Sequence, residues 1–207
     1  MAGKTRVLHK KSVRKHTHFI RAFKPNLSLW AEGISEIQTI YSLDFDNDVL
    51  VFVGQSRTLL LKDQAGDEFS YTPDFFAYYI STGELTVIEA KTADYPLKPD
   101  DYSRLKWSLR KYKDLALKQI IPSQLYSTER LQNFTRLHPF LKIAPTSRLP
   151  IAVIRNYMGD AFTLGDFKAA IEQKGFDASY AYGYIAHQLV SFDWDEALDD
   201  NIWLSFS

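Results

Sequence analysis

The strongest constraint on the fold is a pair of strand-like runs separated by one glycine-containing turn. Residues 69–80 (FSYTPDFFAYYI) alternate and are rich in aromatic residues, and residues 85–91 (LTVIEAK) contain β-branched side chains. The intervening STGE at 81–84 has the composition of a turn. Together with the apolar run TLLL at 58–61, the pattern predicts a meander of about three antiparallel strands over residues 58–91.

Helical periodicity is found on both sides of this predicted sheet. Apolar residues at helical spacing predict helices over residues 34–43, 100–119, 128–137, 163–173 and 177–189. Two strand-like pieces, at 191–194 and 202–206, follow the last two helices. Helix, turn, helix and a two-stranded ribbon form the outline of a winged-helix module. The sequence therefore predicts an α/β or α+β protein in two parts, with a boundary near 144–161.

Composition narrows the class of protein. The chain has 207 residues, of which 45% are hydrophobic, so it is long enough to bury a core. It contains no cysteine, which excludes disulfide frameworks, thiolate zinc sites and cysteine nucleophiles. No apolar run reaches about 18 residues, so no transmembrane helix is expected. A soluble, intracellular protein is predicted.

Charge is segregated along the chain, although the net charge is zero. Residues 1–31 contain eight basic residues and no acid, which favours an arm that neutralises a polyanion; a solvated, frayed terminus is the alternative. On helix 100–119 the basic side chains either follow phosphates or form an ordinary solvated face. Residues 156–207 carry a net charge of −7, which favours docking onto a protein partner. The candidate DNA contacts are Lys10, Lys11, Arg14, Lys15, Lys106, Arg110 and Lys111.

The residues best suited to catalysis and metal binding lie on the two strands beside the STGE turn. Asp74 begins one strand and Glu89 lies near the end of the next, so antiparallel pairing brings them side by side. Lys91 is two residues beyond Glu89 and points to the same sheet face. Asp74 and Glu89 are hard oxygen ligands for Mg²⁺ or Mn²⁺, and the Ala90 carbonyl is a further ligand. Glu36, on the preceding helix, completes the metal shell if it faces the sheet.

This combination of groups suits phosphodiester hydrolysis. A bound metal ion polarises the scissile phosphate and lowers the pKa of its water, and Lys91 positions that water or balances the growing negative charge. The alternative is an ordinary carboxylate–lysine ion pair on a sheet. The ordered combination favours a metal-dependent nuclease whose catalytic residues are Glu36, Asp74, Glu89 and Lys91.

The same residues resemble the PD-(D/E)xK nuclease superfamily, and their surroundings are similar to the TnsA family of endonuclease subunits from heteromeric Tn-seven-like transposons. The resemblance covers about residues 32–92. Ser56 stands where the family usually has proline. The matching positions, in order, are Glu36, Leu43-Asp44-Phe45-Asp46, Gln55, Tyr71-Thr72-Pro73-Asp74-Phe75 and Glu89-Ala90-Lys91.

The resemblance implies a domain organisation. It implies a PD-(D/E)xK endonuclease domain over residues 25–148, preceded by the basic arm that the charge pattern predicts over 1–24. That domain is expected to be a restriction-endonuclease-like mixed sheet flanked by helices. A small winged-helix-like, partner-binding domain is expected over 149–207.

The resemblance also implies an activity. Such a subunit is a Mg²⁺-dependent DNA endonuclease, with Mn²⁺ able to substitute, that cleaves the 5′, non-transferred strands at transposon ends during cut-and-paste transposition. The implied partners are double-stranded DNA, a TnsB-type recombinase and a TnsC-type ATP-dependent regulator, in the cytoplasm of a prokaryote and at its nucleoid, with no membrane. Two alternatives stay open: a restriction or repair nuclease that acts alone, and a catalytically silent DNA-binding scaffold subunit.

Overall fold

A computed structural model describes residues 17–55, 57–144, 146 and 148–207. The chain packs as two units, Met1–Leu125 and Tyr126–Ser207. Each unit contains both helices and strands, so the protein has a mixed α+β fold. The domain boundary expected between residues 148 and 149 lies inside the second unit, and it stays a prediction.

The elements of the first unit precede Tyr126. Its strands are β1 (His18–Ala22), β2 (Leu27–Ala31), β3 (Val49–Gly54), β4 (Leu59–Lys62), β5 (Glu68–Tyr71), β6 (Phe75–Tyr79), β7 (Glu84–Ala90) and β8 (Ala116–Ile120). Its helices are α1 (Ile34–Phe45), α2 (Pro99–Lys113) and the short α3 (Pro122–Leu125).

The second unit is built from shorter elements. Its helices are α4 (Thr128–Leu137), a 3-10 helix (His138–Lys142), α5 (Ile151–Arg155), α6 (Leu164–Gln173) and α7 (Ser179–Ala186). Its strands are β9 (Ala161–Thr163), β10 (Val190–Ser191) and β11 (Trp203–Phe206).

A four-stranded mixed sheet, in the order β3-β6-β7-β8, organises the first unit. β6 runs antiparallel to both β3 and β7, and β8 runs parallel to β7. Because side chains alternate along a strand, each face of the sheet contributes to its own core. Phe75 and Ile88 pack in the core that includes α1, whereas Phe76 and Val87 pack in the core that includes α2.

The predicted three-stranded meander over residues 58–91 is wrong in its pairing. β4 and β5 form a separate two-stranded sheet, and β6 pairs instead with β3 and β7. The change of sheet occurs at Thr72-Pro73-Asp74, between β5 and β6. Pro73 has no N–H group to donate to a ladder, so a strand that continues through this position is disfavoured.

The helix predicted over residues 100–119 ends earlier, at Lys113. Asp114 adopts a left-handed conformation with φ of 51°, and the N–H of Leu115 donates to the carbonyl of Leu109 at 3.2 Å. These interactions end the helix, and the chain continues into β8. After this turn the chain forms β8 and then α3.

Residues 18–24 belong to folded structure, although the sequence places them in the basic arm. β1 pairs with β2 along its whole length, and the rings of Phe19 and Trp30 meet edge to face with centroids 5.3 Å apart. The backbone N–H groups of Phe23 and Lys24 donate to the two oxygens of Asp44 at 2.8 and 2.9 Å. These two hydrogen bonds therefore connect the hairpin of β1 and β2 to α1.

The second unit contains a three-stranded antiparallel sheet in the order β10-β11-β9. Both short helices predicted for this region are present as α6 and α7. Thr163 begins α6 with a capping box, in which its side chain accepts from the N–H of Asp166 at 3.1 Å. Phe167 and Tyr184 are fully buried between the helices and the sheet. None of the helices in the described ranges is both long and apolar enough to span a bilayer.

Candidate active site

Asp74 and Glu89 lie opposite one another where β6 begins and β7 ends. The antiparallel register pairs Phe75 with Ile88, and its continuation by one residue pairs Asp74 with Glu89. The N–H of Gln55 donates to the Asp74 carbonyl at 2.9 Å, which fixes the backbone at this point. Both carboxylates are buried, with 8% of Asp74 and 5% of Glu89 exposed.

The ammonium group of Lys91 lies between three oxygen atoms. Its Nζ is 2.5 Å from Glu89 Oε2, 3.4 Å from Asp74 Oδ2 and 3.4 Å from the Ala90 carbonyl oxygen. Asp74, Glu89 and Ala90 are three of the four residues that the sequence assigns to a divalent ion. Three oxygens therefore converge on one positive charge.

Tyr71 also contacts this cluster, although the sequence predicts no catalytic or metal-binding role for it. Its hydroxyl donates to Glu89 Oε1 at 2.5 Å, so each oxygen of Glu89 has a donor. Tyr71 ends β5 and packs with Phe69 against the core of α2. The alternation of Phe69 and Tyr71 was the available signal, because it places both side chains on one strand face.

Asp74 is a weaker acid than an ordinary aspartate. Burial and the neighbouring charge of Glu89 raise the pKa of Asp74 to about 6, against the opposing effects of Lys91 and of the Ala90 N–H. That N–H donates to Asp74 Oδ2 at 3.0 Å. Two carboxylates held together in a buried site repel one another, so a cation bound between them would relieve that repulsion.

The pKa values of Lys91 and Tyr71, which contact the carboxylates, are shifted as well. Burial lowers the pKa of Lys91, but the charges of Asp74 and Glu89 outweigh burial and raise the pKa above its ordinary value. Burial, followed by the charge of Glu89, raises the pKa of Tyr71. The lysine therefore stays charged and the tyrosine stays protonated at neutral pH.

Glu36 lies further from this cluster, in the first turn of α1. Its Oε2 accepts from the N–H of Glu32 at 2.8 Å, and its charge contributes to the raised pKa of Asp74. Within the described ranges, no three or more His, Cys, Asp or Glu residues are grouped closely enough to hold a metal ion. The structure thus brings Asp74, Glu89, Ala90 and Lys91 together, and a ligand role for Glu36 stays a prediction.

The donor atoms are nevertheless suited to magnesium. Mg²⁺ is a hard cation that binds through one or two carboxylates and keeps several waters, so it does not require a cage of three acidic side chains. Asp74 Oδ2, Glu89 Oε2 and the Ala90 carbonyl already surround a cation, the ammonium of Lys91. The residues present therefore fit the ion that the sequence predicts.

The predicted DNA contacts are distributed over two regions. Lys106, Arg110 and Lys111 are exposed on α2. Arg110 is ion-paired with Glu84 at 2.8 Å and with Asp114 at 3.1 Å. The four basic residues predicted in the arm, Lys10, Lys11, Arg14 and Lys15, lie outside the described residues.

Comparison with protein-family models finds no match, and comparison with curated proteins finds no relative either.

Proposed function

We propose that the protein is a Mg²⁺-dependent DNA endonuclease, the strand-cutting subunit of a Tn-seven-like transposase. The convergence of Asp74, Glu89 and the Ala90 carbonyl on one cation position, with Lys91 at the same point, carries the proposal. The residue pattern shared with the TnsA family is the ground for the transposon-end substrate. Cleavage of the 5′, non-transferred strands is the reaction expected of such a subunit.

Each residue has a distinct part in this proposal. Asp74, Glu89 and the Ala90 carbonyl would hold a Mg²⁺ ion, which when bound would polarise the scissile phosphate and lower the pKa of a bound water. Tyr71 donates to Glu89 Oε1 and so orients the carboxylate, which would leave Oε2 available to the ion. Lys91 leaves its ion pair with the carboxylates and directs its ammonium to the attacking water or to the phosphate oxygens. Glu36 adds negative charge near Asp74 from α1.

The architecture supports the proposal at a coarser level. A mixed sheet with α1 in one core and α2 in the other is compatible with a restriction-endonuclease-like domain. α6, α7 and the three-stranded sheet of β9, β10 and β11 are compatible with a winged-helix-like module. The net charge of −7 over residues 156–207 favours recruitment of a protein, for which a TnsB-type recombinase or a TnsC-type regulator is the proposed partner.

Strand scission on end-labelled duplexes with transposon-type ends tests this function. The expected result is Mg²⁺-dependent nicking of the 5′ strand that requires the partner recombinase and disappears in Asp74→Ala. Asp94→Ala, on an exposed loop residue, is the matched control and should cut at the wild-type rate. Undiminished nicking by Asp74→Ala would remove the assignment, and equal cutting by the isolated chain would favour a restriction or repair nuclease.

One observation favours a second candidate, a DNA-binding scaffold without catalysis. Lys91 pairs with both carboxylates, as the lysine of a purely structural ion pair would. A scaffold of this kind should show no change in melting temperature with Mg²⁺ or Mn²⁺, whereas the endonuclease should be stabilised by either ion.

A further inference from the structure

A concavity of about 510 Å³ lies between α2 and the turn that joins β4 to β5. One wall is Gln64 from the turn, and the other is formed by Ser103, Lys106, Trp107, Arg110 and Lys111. The five α2 residues recur at intervals of three and four positions from Ser103, so they share one face of the helix. The volume lies within the range of about 300–1,000 Å³ that is typical of small-ligand sites.

Basic side chains border this concavity, and two of the acids near it are paired with arginines. Asp63 is paired with Arg104 at 2.7 Å and Glu84 with Arg110 at 2.8 Å. No ion pair in the described part of the chain involves Lys106 or Lys111, and both side chains are exposed. Two uncompensated ammonium groups therefore border the site.

Trp107 gives the concavity an aromatic surface between these two charges. The indole is half-buried, lines the concavity and is held edge to face against Tyr112, with centroids 5.8 Å apart. An aromatic ring of fixed orientation beside two ammonium groups is the arrangement with which proteins bind unpaired nucleotides, because the ring stacks on a base and the cations contact phosphates. In a duplex, neighbouring base pairs cover the faces of each base, so a ring cannot stack on them.

We propose that this concavity binds a single-stranded segment of the DNA substrate. One base stacks on Trp107, the flanking phosphates contact Lys106 and Lys111, and Gln64 and Ser103 supply hydrogen bonds to the base edge. The inference rests on the proposed function insofar as the nucleic acid is DNA. Tyr71 and Gln64 belong to opposite ends of the hairpin of β4 and β5, whose strands of four residues rise about 10 Å. A DNA strand bound at this site is therefore held at a distance from the scissile phosphate.

Equilibrium binding tests the proposal directly. The fluorescence anisotropy of a labelled oligothymidylate, and of a blunt duplex of equal length, is measured with the full chain in EDTA at several salt concentrations. Lys106→Gln/Lys111→Gln should raise the Kd for the single strand about tenfold and reduce the salt slope by about 1.4, which corresponds to two phosphate contacts. Lys113→Gln, on the same helix but outside the concavity, should leave the Kd unchanged.

Trp107 variants separate stacking from charge. Trp107→Ala should weaken single-strand binding about tenfold and duplex binding much less, whereas Trp107→Phe should retain most of the affinity. An unchanged Kd in the double lysine variant would overturn the proposal, and so would an equal loss of single-strand and duplex binding. Because both lysines are exposed, that variant does not threaten the fold.

The binding assay in EDTA is independent of cleavage. Selective loss of single-strand binding in the lysine variant supports the site even if Asp74→Ala cuts as fast as the wild-type protein. An unchanged Kd in the lysine variant overturns the site even if Asp74→Ala is inactive. Absence of single-strand binding by the wild-type chain overturns it as well.

Discussion

Replacing the Asp74 carboxylate with an amide is expected to stabilise the metal-free protein while it abolishes metal-dependent cleavage. Asp74→Asn keeps the shape of the side chain and an oxygen that can accept from the Ala90 N–H, which contacts Asp74 Oδ2 at 3.0 Å. It removes a buried negative charge that lies opposite Glu89. The variant thus separates the cost of that charge from the packing of the side chain.

The magnitude follows from the raised pKa of Asp74. The carboxyl group titrates near 3.8 in the unfolded chain and at about 6 in the folded protein, because burial and Glu89 oppose its ionisation. One pKa unit corresponds to about 1.36 kcal/mol, so the ionised group costs about 3 kcal/mol of folding free energy well above pH 6. A folded pKa above the unfolded one means that stability is fully present below pH 3.8 and is lost as the pH rises through about 6.

Urea unfolding in EDTA at neutral and acidic pH measures this cost. Near pH 7.5, Asp74→Asn should unfold with a free energy up to about 3 kcal/mol greater than the wild-type protein, and near pH 4 the difference should fall below about 1 kcal/mol. The exposed Asp94→Asn is the control and should differ by less than about 0.5 kcal/mol at either pH. A less stable Asp74→Asn near pH 7.5, or a difference that does not change with pH, would refute the reasoning.

Three further substitutions test individual contacts. Tyr71→Phe removes the donor to Glu89 Oε1 and should lower the free energy of unfolding by about 1–3 kcal/mol and weaken Mg²⁺ binding in calorimetry; an unchanged Mg²⁺ Kd would contradict this. Lys91→Met should bind Mg²⁺ about tenfold more tightly, because no ammonium competes for the carboxylates, yet lose cleavage; weaker binding would contradict it. Ser127→Ala removes the cap that accepts from Arg130 N–H at 3.0 Å and should cost about 1 kcal/mol in urea unfolding; an unchanged midpoint would contradict it.

The spacing of Asp74, Glu89 and Lys91 along two predicted strands was sufficient to predict that they cluster. A Gly turn between two alternating runs fixes a hairpin register within narrow limits, and residues two apart on a strand share a face. The same local rules could not predict that Pro73 transfers the chain from one sheet to another. They therefore could not predict that Tyr71 approaches Glu89 from a separate hairpin, since sheet partnership depends on contacts distant in sequence.

The C-terminal end of α2 could not be predicted from periodicity either. Apolar residues continue at helical spacing beyond Lys113, so periodicity alone extends the helix to residue 119. The left-handed conformation of Asp114, with φ of 51°, ends the helix, and pairing with β7 then makes β8 a strand. β1 was missed for a related reason, because basic residues next to it suggested an arm while the partner strand β2 lies further along the chain.

Asp74, Glu89 and the Ala90 carbonyl are proposed to bind a divalent cation at the point where Lys91 now contacts them. Crystals soaked in Mn²⁺ and measured for anomalous scattering test it most directly. The account predicts a peak about 2.1 Å from Asp74 Oδ2 and Glu89 Oε2, with the Lys91 ammonium displaced from both. A map without a peak at these oxygens, in which Lys91 still bridges the two carboxylates, would contradict it.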